Sequence, residues 1–328
     1  VLYSGTGSAL SVTGVGFQPD FTWIKSRSGA AGGGWHILTD VVRGTSQGLS
    51  SNATAAEEDN GSTHISSFDS DGFSIGTSGA INTSSSTQVA WNWKANGSGS
   101  SNTVGDINST VSVNTDAGFS IVAYTGNGSD GQTVGHGLSK APEMILVKPR
   151  NYVDHWSTYQ EPLGNTKYMY LDDTNAVFTD SSRWSDTTPT SSVFTTGTSS
   201  PATNGSYNYI AYCFHSVDGY SKFGSYTGNG NADGTFVYTG FRPALVISKS
   251  SSHSSEWKTY DNKRNTYNVM DEEIRLDTNG AASVHSNNYL DFLSNGFKPR
   301  YTDHSNQSGK TYIYIAFAET PFKYSNAR

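Results

Sequence analysis

The stretch GFSIVAYTGNGSDGQTVGHGLSKAPEMILVKPRNYVDHWSTY, residues 118–159, decides how the chain is read. Residues 219–260, GYSKFGSYTGNGNADGTFVYTGFRPALVISKSSSHSSEWKTY, repeat its landmarks in order. Gly118-Phe119-Ser120 meets Gly219-Tyr220-Ser221, and Tyr124-Thr125-Gly126-Asn127-Gly128 meets Tyr226-Thr227-Gly228-Asn229-Gly230. Pro142 and Lys148 meet Pro243 and Lys249, and Trp156 and Tyr159 meet Trp257 and Tyr260. An earlier copy begins with Tyr3-Ser4-Gly5-Thr6-Gly7 and continues through Pro19 to Lys25, with Trp35 ten residues after its lysine instead of eight. Each copy closes on an aromatic strand: Thr87–Lys94, Tyr209–Phe214 and Tyr314–Ala318. From the proline to the alanine of that strand is 71, 69 and 73 residues (Ala90, Ala211, Ala316). Such a fixed period marks one structural unit used three times.

Within a copy the pattern is that of strands. A proline opening a short apolar run fits a strand whose first residue needs no ladder N–H. The run itself reads as buried on both faces. A Gly- and Ser-rich loop then leads to an outgoing partner strand, a hairpin. The Gly-Asn-Gly turns supply left-handed backbone at low cost. Helical periodicity is absent except for a turn at Asp271–Leu276. The expected fold is all-β, with three tandem antiparallel sandwiches of jelly-roll or concanavalin-like type. Their expected spans are residues 1–95, 118–217 and 218–328, joined at 96–117 by a flexible Gly/Ser linker and a lead-in strand. The first copy opens in mid-pattern, so a longer polypeptide is expected, of which this is the C-terminal part.

Charged residues make up 15% of the chain and aromatics 12%, a balance that buries a core and excludes a disordered chain. The net charge of −7 divides into −3 over residues 1–94, −6 over 95–218 and +2 over 219–328. No basic stripe results, so nucleic acid is not an expected partner. The single cysteine, Cys213, forbids an internal disulfide and reads as a buried thiol. No run of about 18 apolar residues offers a helical membrane span.

The catalytic-looking motifs fail on context. Gly44-Thr45-Ser46-Gln47-Gly48 has the letters of a nucleophile elbow but no following helix. Gly126-Asn127-Gly128-Ser129-Asp130-Gly131 also lacks the helix a dinucleotide site needs. Asp69-Ser70-Asp71-Gly72 starts like a calcium loop, but Ala80 stands where the twelfth-position glutamate belongs. The histidines show no metal-ligand spacing, so no metal or other cofactor is expected. Asp154 and Glu161 are a carboxylate pair for glycoside cleavage that the third copy replaces with Ser255 and Asn262. Tyr152, His155 and Trp184, present in one copy only, are the candidate glycan contacts. Eight N-x-S/T sequons occur, at Asn52, Asn60, Asn82, Asn96, Asn108, Asn127, Asn204 and Asn306.

Taken together, Tyr124–Gly128, Gly16–Lys25, Trp156–Tyr159, Asp69–Phe73 and Tyr312–Arg328 resemble a tandem β-domain of tailed-bacteriophage structural proteins, chiefly marine and cyanobacterial phages. The second copy departs from it, with Ser192-Val193-Phe194-Thr195 in place of D-S-D-G-F. The resemblance implies a non-enzymatic virion protein, made in the host cytoplasm and carried on the particle surface. Its expected form is a tail-fibre-like adhesin, a rod of three sandwiches assembled as a homo-oligomer, a trimer first. Its expected partners are other virion proteins and a host-surface glycan, without membrane insertion. A capsid decoration or head-fibre protein is the alternative, and a polysaccharide-degrading tailspike the second.

Overall fold

The computed structural model describes residues 1–28, 34–198, 201–287 and 289–319. The protein is all-β, built of antiparallel sheets. In the first repeat Leu2–Ser4, Thr87–Trp93, Phe21–Ser26 and His36–Asp40 pair in that order, and a smaller sheet joins Leu10–Thr13, Gly72–Ile75 and Ile65–Asp69. The second repeat centres on Phe119–Thr125, Asn208–Phe214, Met144–Pro149 and Ser157–Gln160, with Gln132–Gly135 and Val193–Thr196 as its small sheet. The third centres on Ser221–Thr227, Thr311–Phe317, Leu245–Ser250 and Lys258–Asp261, with Val237–Tyr238, Gly296–Pro299 and Leu290–Leu293 apart. In each, the closing strand lies between the first strand and the proline-led one.

The proline-led strands Phe21–Ser26, Met144–Pro149 and Leu245–Ser250 are buried along their whole length. Both faces of a strand must therefore meet other protein, since successive side chains point to opposite sides. One face builds a core private to each repeat, such as Ile24, Phe73 and Ala90 in the first. The other face builds a core common to all three: Trp23, Trp91 and Trp93 with Leu146, Tyr212 and Phe214 and with Ile247, Ile315 and Phe317. Phe21 stacks on Tyr212 at 4.4 Å, and Trp93 meets Phe214 at 6.4 Å and Phe317 at 5.7 Å. Each such ring removes about 200 Å² from water, roughly 5 kcal/mol before entropy. A rod of separate sandwiches would leave this face wet. The repeats instead close around it.

Pairing registers correct three letter matches. His36, not Trp35, faces Lys25 across the hairpin and takes the place of Trp156 and Trp257; Trp35 is exposed. Phe214 corresponds to Phe317, so the third closing strand is shifted by two residues from the alanine match and keeps the same face inward. Phe119 then corresponds to Ser221. Alternation tolerates the shift of two because its period is two. The expected linker is ordered: Asp20 accepts the amides of Ala95 (2.7 Å) and Gly97 (3.2 Å), and Ser100–Asn102 pairs with Ser109–Asn114. The expected helical turn is the strand Glu272–Arg275, which sends Ile274 into the common core. The signature Tyr312–Arg328 lies beyond residue 319 partly outside the described residues.

Candidate functional site

The recurring lysines end the buried strands, and each reaches into the neighbouring repeat. Lys148 Nζ donates to the carbonyl of Asp154 in its own hairpin (2.6 Å) and to that of Thr54 in the first repeat (3.0 Å). Lys249 Nζ donates to Ser255 O and to Thr174 O of the second repeat. Lys25 Nζ donates to Gly34 O (2.5 Å) and to Asn279 O of the third (3.2 Å). Second grips first, third grips second, first grips third. Burial lowers each ammonium to about 8.

The ring nitrogens follow the same cycle. Trp156 Nε1 donates to Ser50 O (2.9 Å), Trp257 Nε1 to Tyr170 O (2.8 Å), and His36 Nε2 meets Arg275 O (2.9 Å). His36 Nδ1 accepts from Trp23 Nε1 (2.9 Å), which assigns the proton to Nε2. Main-chain bonds Glu57 N to Arg150 O, Val177 N to Ser251 O and Ala282 N to Arg27 O repeat it once more. At a further seam position Tyr212 donates to Asp40 Oδ2 (2.8 Å) and Trp91 Nε1 to Asp261 Oδ2 (3.2 Å). The third such position holds Ile315 and Gln160, and Gln160 Nε2 has no hydrogen-bond partner among the described residues.

A second recurring set supports the Gly-Asn-Gly loops. Asn82, Asn204 and Asn306, all fully buried, accept the amides of Thr6 (2.8 Å), Asn127 (2.8 Å) and Asn229 (3.1 Å). Three of the eight sequons are thus internal fasteners. The turn at Asp69–Gly72 is likewise engaged, with the Asp71 carboxylate accepting from Gly14 N and Gly16 N. Gly72 has φ of +152°, and a Cβ there would meet Val12 O at 2.0 Å. Cys213 is buried, which pushes its thiol pKa up. Among the described residues no group of three or more His, Cys, Asp or Glu could hold a metal ion. Asp154 lies in the loop before the strand Ser157–Gln160 and Glu161 opens the short 3-10 turn after it.

A shallow polar cup of about 290 Å³ is lined by Ser101, Asn108, Thr110, Thr125, Arg150 and Asn208. Thr125 Oγ1 donates to Asn208 Oδ1 (2.9 Å), and Glu57 holds the Arg150 guanidinium through Nη2 (2.7 Å). A separate aromatic pair stands at this end of the second repeat: Tyr152, 41% exposed, lies 4.4 Å from Tyr207 between ring centroids, and Tyr207 packs against the repeat's private core. Of the three candidate glycan contacts, Tyr152 is at the surface. His155 is occupied elsewhere, stacked on Tyr170 (4.1 Å) with Nδ1 on Asp172 (2.8 Å), a bond that raises its pKa. Trp184 is buried at 1% exposure against Tyr159 and has no free ring face for a sugar. Sequence reading missed Arg150, two residues from Tyr152, and Tyr207 and Asn208, which only pairing of distant strands brings to the same end of the sheet.

The fold and its seams define a class: an all-β protein in which three repeats close cyclically on one aromatic core. The chain belongs to the family described as a domain of unknown function, DUF7483, whose profile matches residues 1–321 and so spans all three repeats. No curated protein and no solved structure matches the chain.

Proposed function

We propose that the chain is a non-enzymatic, adhesive structural protein of a tailed-phage particle, three jelly-roll-like sandwiches that hold a host-surface glycan on the second repeat at the exposed pair Tyr152 and Tyr207. The observation carrying this reading is a division of labour. Recurring polar groups (Lys25, Lys148, Lys249, Asn82, Asn204, Asn306) bond within the protein, whereas the exposed tyrosine pair belongs to the second repeat. The third repeat has His253 and Lys310 where the second has Tyr152 and Tyr207. An exposed aromatic pair suits stacking on the apolar ring face of a polyhydroxylated ligand.

The particle setting rests on the resemblance of the repeated motifs to phage structural proteins. Its proposed neighbours are other virion proteins, and its proposed assembly is a homotrimer. Binding of the intact chain to an array of bacterial envelope glycans tests the reading. Capture that Tyr152→Ala and Tyr207→Ala each abolish, without release of reducing ends, supports it. Unchanged capture by both variants, or liberated reducing ends, overturns it. Labelling of intact particles with an antibody to the chain locates it on the tail or on the head.

A further inference from the structure

The polar cup lies on the seam between the first and second repeats, and its wall crosses five segments of chain. Ser101 pairs with Thr110, and Thr110 with Ala123. Thr125, two residues on and so on the same face of its strand, pairs with Asn208. Arg150 completes the row, its amide bonded to Asn208 O (2.7 Å). The third repeat builds no such wall. Its matching strand, Ser221–Thr227, ends the sheet, and Ser251 and Val177 stand where Arg150 and Glu57 do.

The wall carries donors that nothing in the protein uses. Glu57 of the first repeat fixes the Arg150 guanidinium by Nε (3.0 Å) and Nη2 (2.7 Å), and Arg43 Nη1 (2.9 Å) fixes Glu57 in turn. Nη1 of Arg150 is left without a partner among the described residues. Thr125 Oγ1 donates to Asn208 Oδ1 (2.9 Å), which leaves Asn208 Nδ2 equally free. No aspartate or glutamate is among the lining residues, so a cation finds no anionic ligand there. A guanidinium held along one edge offers its remaining N–H groups in a fixed direction, and such donors bond best to a charged acceptor.

We propose that the cup binds the carboxylate of an acidic sugar residue. Arg150 Nη1 and Asn208 Nδ2 donate to the carboxylate, and the hydroxyls of Ser101 and Thr110 meet those of the ring. The volume of about 290 Å³ is at the low end of ligand sites and suits one sugar ring. The sugar rests on the glycan reading above, whereas the carboxylate rests on the donor set alone.

Titration of the intact chain with a trimer of galacturonic acid and with the matching neutral galactose trimer tests this. The acidic trimer is expected to bind at least about tenfold more tightly, the worth of one charge-assisted bond. Asn208→Asp keeps an oxygen for Thr125 but replaces the free amide with negative charge, and is expected to erase the difference. Arg150→Gln is expected to do the same. Arg27→Gln, which breaks the ion pair with Glu272 on another seam, is expected to leave it intact. Equal binding of the two trimers, binding of neither, or a difference that survives Asn208→Asp overturns the proposal. Acidic-trimer binding that is lost in Tyr152→Ala but kept in Asn208→Asp also overturns it, and puts the sugar at the tyrosine pair. Trimer binding that needs Asn208, in a chain that captures no envelope glycan, supports the cup and overturns the adhesive reading instead.

Discussion

Replacing Lys148 by Met tests the cyclic seams most directly. Met keeps the length and apolar stem of the side chain but removes Nζ, so Asp154 O loses its 2.6 Å donor. Thr54 O loses its 3.0 Å donor yet keeps the Asp154 amide, also at 3.0 Å. A hydrogen bond from a charged group contributes about 1.5–3 kcal/mol, and a buried orphan acceptor costs about 1–3 kcal/mol. Against this stands the desolvation that lowers the Lys148 ammonium to about 8. The balance is an expected loss of about 2–4 kcal/mol at pH 7. The pH dependence adds a second signature. A lysine whose folded pKa lies below its unfolded value binds fewer protons when folded, so its contribution to stability rises with pH between about 8 and the unfolded value. The slope is at most ~1.4 kcal/mol per pH unit. Denaturant unfolding of the wild type and Lys148→Met at pH 7, 8 and 9 reads both effects. The gap between them is expected to widen above pH 8. A loss below about 0.5 kcal/mol, or a gap that narrows as pH rises, refutes the staple.

Three further outcomes follow from the same geometry. His36→Trp, which restores the residue type of Trp156 and Trp257, is expected to destabilise because Trp23 fills the space beside His36; adding Trp23→Leu, after Leu146 of the second repeat, should recover more than about 1 kcal/mol in a double-mutant cycle. Asp277 Oδ1 accepts the Trp257 amide, burial raises its pKa to about 6, and Asn52 plays the same part for His36. An acid whose folded pKa is raised loses stability as pH climbs through that value, so Asp277→Asn should stabilise the protein at pH 8 and do so less at pH 4, by thermal melts at both. Gln160→Leu removes a buried amide nitrogen that lacks a partner among the described residues, and is expected to be neutral or stabilising by about 1 kcal/mol in urea unfolding.

The repeat, its strands and their antiparallel hairpins were legible in the letters, because turn chemistry and period-two alternation act over a few residues. Letters alone placed Trp35 with Trp156 and Ala316 with Ala211, and both matches failed for one reason: register is fixed by the partner strand and the core face. Lys148 could be seen to recur, but its acceptors Thr54 and Asp154 include one that lies 94 residues away. The same distance hid the tyrosine pair and the cup, since Tyr207 meets Tyr152, and Asn208 meets Arg150, only across paired strands. The sequence by itself determined a β unit used three times. The tertiary structure decided that the three close on one another, because a strand apolar on both faces needs a second surface, and the neighbouring repeats supply it.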